Sequence, residues 1–500
     1  MDDKILVLYE APPGAVVVND CGPVKRNIAR QSKAGIELSD DYRLFVDDRE
    51  VVVYRAFTHG YANEAHFSHI ASFGGPYSFA YFDFKGKVTV KVISNKLPLD
   101  KVRIQPASKS IVPQINGDCL TFELTQAPTH LSIEPRGRTG PLLLFANPLE
   151  RQPVLPDGPG VRYFGPGIHE AGIIQLSDNE TLYIAGGAVV KGGIVARGKN
   201  IRIMGRGILD GFDWPRNYNG SQDGFIRLID CDDVLIEGII VKDGWAWNVN
   251  LCGSNNVRID NLKIVASRCE NDDGIDICNC RGVTVTDSFI RTEDDCIAPK
   301  GFGYRGGQEV ADIEVTRTVL WTDKAHVWRM GCECRAKTMR NMLFKDIDVI
   351  HYCDNWWIPG ELPDQIEPKA VWDQIPEYML DLPTCVSIQP GEDMLMENIR
   401  FEDIRINHEG QKWFMEIFPK VTLWSDRKVP GMLRHCVFKD VRLTGDDSGP
   451  AGGIRICGLD AAHDVRDIVF DNVTRHGERL TQDSPELLIM GHVKNIRFCS

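Results

Sequence analysis

Residues 270–300 read ENDDGIDICNCRGVTVTDSFIRTEDDCIAPK, two acidic clusters separated by one alternating apolar run. The run from Val283 to Ile290 places apolar residues at alternate positions, which predicts a β-strand. Asp273 and Asp294 stand 21 residues apart, and this spacing is about one coil of a parallel β-helix. Because consecutive coils stack about 4.8 Å apart, we expect the two clusters to lie side by side on one face of a solenoid.

Short runs of alternating apolar residues recur from about residue 172 onward. Many open with Asn or Asp and continue with alternating apolar residues, at intervals of roughly 23 to 33 residues in the first half of the series. They begin at Asn200, Asp233, Asn256, Gly282, Asp312, Asn341, Asn398, Val437, Asp467 and Asn495. With one coil per repeat, each buried by the coils above and below, the series predicts a right-handed parallel β-helix over residues 172–500.

The first part of the chain, residues 1–145, has a different pattern. It contains alternating runs at 42–46, 50–54, 87–92 and 120–124, punctuated by Gly, Asp, Asn and Pro, and it lacks helical periodicity. These features predict an N-terminal antiparallel β-sandwich and hence an all-β chain. The Pro/Gly-rich passage 146–171 is interpreted as a linker.

Composition narrows the classes of partner. The formal net charge of −13 argues against non-specific binding to nucleic acid or to an anionic membrane surface. No apolar run approaches the roughly 18 residues of a membrane span. No basic stretch followed by an apolar core is visible at the start, so we expect a cytoplasmic location, or secretion if a leader had been removed. The oligomeric state is left open.

The 15 cysteines are an odd number and lack the regular spacing of a disulfide framework. Many of them stand in or beside apolar strand patterns, which favours buried free thiols over disulfides. Cys278 and Cys280, like Cys332 and Cys334, lack the two-residue gap of a zinc knuckle. We therefore predict neither a metal site nor a cofactor.

The acidic clusters themselves suggest a chemistry. Clustered carboxylates raise one another's pKa values, so that one group stays protonated while its neighbours ionise. Such a division suits acid/base hydrolysis of a glycosidic bond. The alternative is structural, because Asp and Asn at coil corners often form Asx-turns, and we expect Asp272 and Asp287 to do so.

These clusters resemble the signature of the polygalacturonase family, glycoside hydrolase family 28. Asn271-Asp272-Asp273 stands where that family has Asn-Thr-Asp, and residues 294–300 closely match its Asp-Asp-Cys-Ile-Ala-Ile-Lys run. Residues 325–333 resemble its Gly-His-Gly segment at His326, Gly331 and Glu333 only. The resemblance implies a carbohydrate substrate and inverting hydrolysis of a plant or microbial polysaccharide or oligosaccharide, with pectin as the expected class.

The resemblance also implies roles for individual residues. Asp294 would be the general acid, Asp273 and Asp295 would together hold and deprotonate the attacking water, and His326 would tune the acid pair. Inversion requires the acid and the base to stand about 6.5 to 9.5 Å apart with water between them.

The candidate substrate contacts depart from the family's pattern. The family's Arg-Ile-Lys segment, which grips a galacturonate carboxylate, is not recognisable; residues 351–359 stand where it is expected and contain two tryptophans. Their aromatic faces suit a neutral sugar, although they could instead pack under a long insertion. The predicted substrate-binding residues are Asn271, Asp276, Lys300, Arg329, Glu333, Trp356 and Trp357, with Lys300 and Arg329 as candidate carboxylate binders and Asp276 as a turn or hydroxyl contact.

Three other functions stay open. A sandwich ahead of a β-helix is also similar to the dextranase family, glycoside hydrolase family 49, which would imply a neutral α-glucan. A polysaccharide lyase on the same fold would need calcium and an arginine base. A non-catalytic carbohydrate-binding solenoid would bind glycans without hydrolysing them.

Overall fold

The chain consists almost wholly of β-strands in its computed structural model. The structure describes residues 4–17, 35–58, 75–151, 154–215, 224–269, 271–302, 309–332, 334–352, 382, 384–421, 429–445 and 452–499. Within these ranges the helical content is one 3-10 turn at Ala107–Lys109. No described helix has the length and the hydropathy needed to cross a membrane.

The N-terminal part forms a two-sheet sandwich. Its strands are β1 (Ile5–Val7), β2 (Val16–Val17), β3 (Glu37–Leu38), β4 (Tyr42–Val46), β5 (Arg49–Val51), β6 (Tyr54–Thr58), β7 (Gly75–Lys85), β8 (Val88–Ser94), β9 (Arg103–Gln105), β10 (Gln114–Asn116), β11 (Cys119–Leu124), β12 (Thr129–Glu134) and β13 (Leu142–Asn147). One sheet has the order β2-β3-β6-β7-β13-β12-β9 with β1 on β7, and the other has the order β10-β11-β8-β4-β5.

The predicted sandwich is confirmed, with one departure from antiparallel pairing at its centre. The strand pair β7 and β13 runs parallel, from Leu142 opposite Ser78 to Asn147 opposite Asp83. Between these strands the chain crosses to the second sheet in β8 and returns, so the two central strands enter from the same end. The short pair β2 and β3 is also parallel.

The remainder forms the predicted parallel β-helix. Its strands are β14 (Val161–Phe164), β15 (Gly167–Leu176), β16 (Thr181–Ile184), β17 (Ala188–Ala196), β18 (Lys199–Gly205), β19 (Ile208–Asp210), β20 (Ile226–Ile229), β21 (Asp232–Glu237), β22 (Ile240–Lys242), β23 (Val249–Cys252), β24 (Asn255–Asp260), β25 (Lys263–Val265), β26 (Ile275–Cys278), β27 (Arg281–Thr286), β28 (Phe289–Thr292), β29 (Ile297–Lys300), β30 (Glu309–Thr316), β31 (Val319–Thr322), β32 (Trp328–Met330), β33 (Thr338–His351), β34 (Val386–Ile388), β35 (Leu395–His408), β36 (Trp413–Ile417), β37 (Met432–Gly445), β38 (Gly453–Gly458), β39 (Val465–Asp471), β40 (Thr474–Arg475), β41 (Glu478–Arg479), β42 (Leu487–Gly491) and β43 (Val493–Cys499).

Strand β14 lies inside the stretch interpreted as a linker, and β15 begins there and continues to Leu176. They pair in parallel with β16 and β17 of the next coil. The solenoid therefore begins at Val161, before the predicted boundary at residue 172, and its first coil starts within the Pro/Gly-rich passage.

The Asn and Asp residues that open the sequence repeats share one backbone conformation. They sit at the same corner of successive coils with φ between 52° and 61°, a left-handed conformation that Asn and Asp tolerate better than other side-chain-bearing residues. They are Asn200, Asp233, Asn256, Asp312, Asn341, Asn398, Asp467 and Asn495. The repeat seen in the sequence is thus the repeat of this corner, and Gly282 occupies it with φ of 71°.

Apolar residues stack in columns along the inside of the solenoid. One column is aromatic, with ring centroids 4.9 to 5.4 Å apart between successive coils. Its members are Phe344, Phe401, Phe438, Phe470 and Phe498. The spacing is close to that of neighbouring strands in a sheet. The rings therefore stack when the strands pair in this register, and the stacking in turn stabilises that register.

The sandwich packs side-on against one wall of the solenoid. Residues such as Tyr77 and Phe145 share an apolar cluster with Val265, Phe289 and Trp321 from strands β25, β28 and β31. The rings of Phe145 and Phe289 lie 5.3 Å apart. This contact matters for function because each of these three solenoid strands leads directly into a predicted catalytic segment.

A buried charge cluster joins the two parts. His351 of the solenoid contacts Glu134 of the sandwich at 2.8 Å and Glu409 of the next coil at 3.0 Å. Arg138 of the sandwich also pairs with Glu409 at 2.5 Å. Burial alone would lower the pKa of His351, but the two adjacent carboxylates raise it to about 9.

We predict that this cluster makes stability fall at alkaline pH. Because the pKa of His351 is about 9 in the folded chain and near 6.5 when unfolded, its stabilisation is complete below about pH 6.5 and is lost as pH rises toward 9. Urea unfolding between pH 6 and 9 should show a decline on the order of 2–4 kcal/mol that His351→Gln removes.

The matched control for this prediction is His435→Gln. The His435 side chain is 59% exposed and stands 3.7 Å from Asp467, so its replacement should leave the slope of the wild-type protein unchanged. A slope that survives in His351→Gln would contradict the assignment.

Candidate active site

Strand pairing brings the two acidic clusters and His326 onto consecutive coils. Ile275 of β26 lies opposite Ile297 of β29, which lies opposite Trp328 of β32. Two positions before these residues stand Asp273, Asp295 and His326. Backbone hydrogen bonds from Gly274 to Asp295 and from Cys296 to His326, at 2.7 and 2.9 Å, continue the pairing up to this corner.

Asp273, Asp294 and Asp295 form the close trio expected from their spacing. One carboxylate oxygen from each lies within 4.8 Å of the others. Asp273 and Asp295 are 2% and 7% exposed, while Asp294 is only partly buried. These nearest oxygens are closer than the wide acid–base separation expected for inversion, but a single water hydrogen-bonded to two of them spans up to about 5.6 Å.

The surroundings divide the trio into groups of different acidity. Burial and the carboxylates of Asp273 and Asp295 raise the pKa of Asp294 well above its usual value. Burial alone would raise the pKa of Asp295 too, but the hydrogen bond and charge of His326, with Arg329 beyond, lower it. Neighbouring carboxyls whose pKa values are driven apart suit paired acid and base roles.

His326 lies directly against Asp295. Its backbone N–H donates to Oδ1 of Asp295 at 3.0 Å, and its Nδ1 lies 3.1 Å from the same oxygen. On the other side of the ring, Nε2 lies 3.3 Å from Nη1 of Arg329 and 3.1 Å from the carbonyl oxygen of Leu382. The predicted association of His326 with the acidic pair is therefore present as a contact with Asp295.

Lys300 and Asp276, both predicted to touch substrate, instead pair with each other. Nζ of Lys300 lies 2.9 Å from Asp276 and 3.1 Å from Asp273. Asp276 is fully buried and Lys300 is 4% exposed. The ammonium also lies 4.0 Å from the centre of the Trp247 ring. Both charges are thus used within the protein, next to Asp273.

Asp272 has a more specific task than the corner turn predicted for it. Its fully buried carboxylate accepts backbone hydrogen bonds from Ser267 and Glu293, both at 2.6 Å, and from Asp294 at 3.2 Å. It therefore links the loop before β26 to the loop before β29, which carry the two acidic clusters.

A hydrogen-bonded chain connects this link to the sandwich. Ser267 donates through its hydroxyl to Asp323 at 2.6 Å, and Asp323 accepts from Arg291 at 3.0 Å. Arg291 in turn donates to the hydroxyl of Thr58 in β6 at 2.8 Å. The Arg291 guanidinium also lies 3.8 Å from the centre of the Trp321 ring. The sandwich thus supports the loops of the site from behind.

The remaining predicted residues are placed as follows. Asn271 donates to Asp294 at 3.4 Å, and Arg329 donates to Ser387 on the next coil at 3.1 Å. Three predicted substrate contacts lie outside the described residues: Glu333, Trp356 and Trp357.

Two aromatic residues near the trio were absent from the predicted site. Trp247 stands on the coil before Asp273, at the equivalent corner, and stacks on Phe302 with ring centroids 6.3 Å apart and planes at 18°. Both are partly exposed. The sequence contained a signal for Trp247. It stands two residues before β23, as Asp273 stands two residues before β26, and aligning the repeats therefore places the two residues at the same corner of neighbouring coils.

Among the described residues, the trio is the one group of acidic, histidine or cysteine side chains close enough to share a metal ion. The chemistry of its surroundings favours proton transfer, because Lys300 and Arg329 already supply positive charge to Asp273 and Asp295. The described cysteines carry free thiols, most of them buried, including Cys278, Cys280, Cys332 and Cys334.

The part of the chain that carries the acidic clusters matches a known family. Residues 180–318 match glycosyl hydrolases family 28. The match includes Asp273, Asp294 and Asp295 and ends before His326, and it confirms the resemblance inferred from the acidic clusters.

Individual relatives match about a quarter of the chain. A probable exopolygalacturonase B of Aspergillus terreus is 30% identical over 152 residues, 27% of this chain and 33% of the relative. A probable polygalacturonase of Vitis vinifera is 27% identical over 149 residues, 28% of this chain and 30% of the relative. The chain thus spans about a third of the length of these curated relatives.

A solved structure extends the likeness in fold to both parts of the chain. Dex49A from Penicillium minioluteum superposes with a TM-score of 0.64 over 97% of this chain and 98% of its own, at 13% sequence identity. At that identity the likeness concerns architecture alone. It includes the sandwich, which lies outside the residues that match family 28.

We predict that Asp272→Ala destabilises the protein and disorders the site. The substitution leaves three backbone N–H groups without their acceptor, and each buried unpaired group costs about 1–3 kcal/mol. Urea unfolding should therefore show a loss on the order of 2–5 kcal/mol. Asp100→Ala is the matched control, because the exposed Asp100 pairs with Arg136 and its replacement should leave the free energy of unfolding nearly unchanged; equal losses would contradict the role given to Asp272.

Proposed function

We propose that this protein is an inverting glycoside hydrolase that cleaves a polysaccharide or oligosaccharide of the pectic type. The single observation that supports it most is the trio Asp273, Asp294 and Asp295, with oxygens within 4.8 Å of one another. Burial and neighbouring carboxylates raise the pKa values of Asp294 and Asp273, while His326 lowers that of Asp295. The match to glycosyl hydrolases family 28 and the similarity to a probable exopolygalacturonase and a probable polygalacturonase favour a galacturonate-containing substrate.

In the proposed reaction, Asp294 is the general acid. Its raised pKa favours the protonated form of the carboxyl group, and it donates that proton to the glycosidic oxygen as the bond to the anomeric carbon breaks. Its partial exposure suits contact with a bound substrate.

Asp295 and Asp273 supply the base. A water molecule held between them attacks the anomeric carbon from the opposite face and gives its proton to the carboxylate pair. Asp295 stays ionised because His326 and Arg329 favour its charged form. Exchange with solvent then returns a proton to Asp294, so one water is consumed for each bond cleaved.

We predict that Asp294→Asn lowers kcat by about 10²- to 10⁴-fold, the usual contribution of a general acid. An amide retains the shape of the carboxyl group but cannot donate a proton of comparable acidity. Release of reducing ends from the best substrate of a panel containing homogalacturonan, rhamnogalacturonan, dextran and pullulan measures the effect.

Asp287→Asn is the matched control, since it makes the same change at a coil corner seven residues before Asp294, where the carboxylate pairs with Arg317 at 2.8 Å. It should retain wild-type turnover. Undiminished hydrolysis by Asp294→Asn would reject the assigned acid.

We also predict that hydrolysis proceeds without added metal and with inversion. EDTA should leave the rate unchanged, because carboxyl groups carry out both proton transfers. Proton NMR of the first products should show the anomer opposite to that of the substrate. Loss of activity with EDTA together with an ultraviolet-absorbing unsaturated uronide would instead indicate a lyase, and binding without hydrolysis across the panel would indicate a carbohydrate-binding solenoid.

A further inference from the structure

Lys300 pairs with two carboxylates, and the proposed hydrolytic reaction gives this lysine no role. Lys300 ends β29, and its ammonium reaches back to the preceding coil, where it lies between Asp273 and Asp276 at 3.1 and 2.9 Å. The ring of Trp247 on the coil before that covers the ammonium at 4.0 Å. Three consecutive coils therefore hold one buried positive charge beside Asp273.

We propose that Lys300 is a positioning residue for Asp273, held in place by Asp276 and Trp247, and that it sets the charge balance that lets Asp273 accept a proton from the attacking water. The inference rests on the proposed function for the identity of the reaction. The role assigned to Lys300 and Asp276 differs from substrate binding, because both residues are too buried, at 4% and 0% exposure, to contact a substrate.

The charges on Lys300 and Asp276 act on Asp273 in opposite senses. Burial and the neighbouring Asp276 carboxylate raise the pKa of Asp273 well above its usual value, and the Lys300 ammonium limits that rise. An opposite charge within about 4–6 Å commonly lowers a carboxyl pKa by one to three units, and a like charge raises it. The balance between these two neighbours therefore determines the pH at which Asp273 becomes a base.

The charged groups around Asp273 come from its own coil and the next one. They are Asp276, Lys300, Asp294 and Asp295, with His326 and Arg329 acting through Asp295. The preceding coil contributes the neutral side chains of Trp247 and Asn248, and the Asn248 amide donates to the backbone carbonyls of Asp272 and Asp273 at 3.0 Å. Within the described residues, Lys300 is the cation nearest to Asp273.

Two substitutions give opposite expectations. Lys300→Met removes the compensating charge, so the pKa of Asp273 should rise by about one unit or more. Asp276→Asn removes the repelling charge and keeps an oxygen that can accept from Lys300, so the pKa of Asp273 should fall. A role limited to packing would not produce shifts of opposite sign.

The test is a ¹³C NMR titration of aspartate carboxyl groups in the full-length protein, with the Asp273 signal identified by its loss in Asp273→Asn. No substrate is needed, so the result is separate from the success or failure of the proposed function. Opposite shifts in Lys300→Met and Asp276→Asn, with recovery in Lys300→Arg, support the proposal. Shifts of the same sign, or no shift in Asp276→Asn, overturn it even if Lys300→Met fails to fold.

The matched control is Lys242→Met. Lys242 is 3% exposed and also lies between two aspartates, Asp210 and Asp243, at 3.2 and 2.5 Å, with the Phe212 ring 4.8 Å away. Its loss should lower stability while leaving the Asp273 titration unchanged. An equal shift in this variant would overturn the proposal, because the effect would then follow from general loosening of the solenoid.

With an active substrate in hand, kcat/KM against pH gives a second readout. Because a base must be ionised, the acid limb should move to higher pH in Lys300→Met and to lower pH in Asp276→Asn, whereas the alkaline limb, set by Asp294, should move less. Wild-type protein that cleaves none of the four glycans would count against the proposed hydrolase, and the carboxyl titration would still decide the role of Lys300.

Discussion

Backbone pairing between successive coils is the constraint on which the site depends. The hydrogen bonds that align β26 with β29 and β29 with β32 fix Asp273, Asp295 and His326 at one corner of three neighbouring coils. The side chains reach their partners only because this spacing is set by the sheet, at about 4.8 Å per coil. A shift of one residue in either pairing would turn the apolar side chains outward and separate the carboxylates.

The same spacing makes the charge cluster costly to assemble. Three carboxylates within 4.8 Å of one another repel, and burial disfavours their charged forms. The protein offsets this with backbone N–H groups around Asp272, His326 against Asp295, and Lys300 against Asp273. These supports come from more than one coil, so the site is stabilised by the stacking of coils and not by one loop.

Much of the fold was accessible from the sequence, because the repeat is visible in it. The Asn and Asp residues that open the repeats are left-handed corner residues, and local backbone preference is enough to reveal them. The proximity of Asp273 to Asp294 followed from their spacing. In contrast, the pairing of Lys300 with Asp276 depends on which residues of adjacent coils stand opposite one another, and loop lengths between strands conceal that register. The parallel pairing of β7 with β13, and the start of the solenoid at Val161, depend on long-range packing in the same way.

The geometry of the acidic trio does not depend on the length of the solenoid. Each coil touches mainly its two neighbours, and the acidic trio lies on coils in the middle of the stack, with further coils from β34 to β43 beyond it. Whole coils can therefore be gained or lost at a distance from Asp273 without altering the trio. In evolution or in the laboratory, the length of the solenoid can change while this group of side chains is inherited intact.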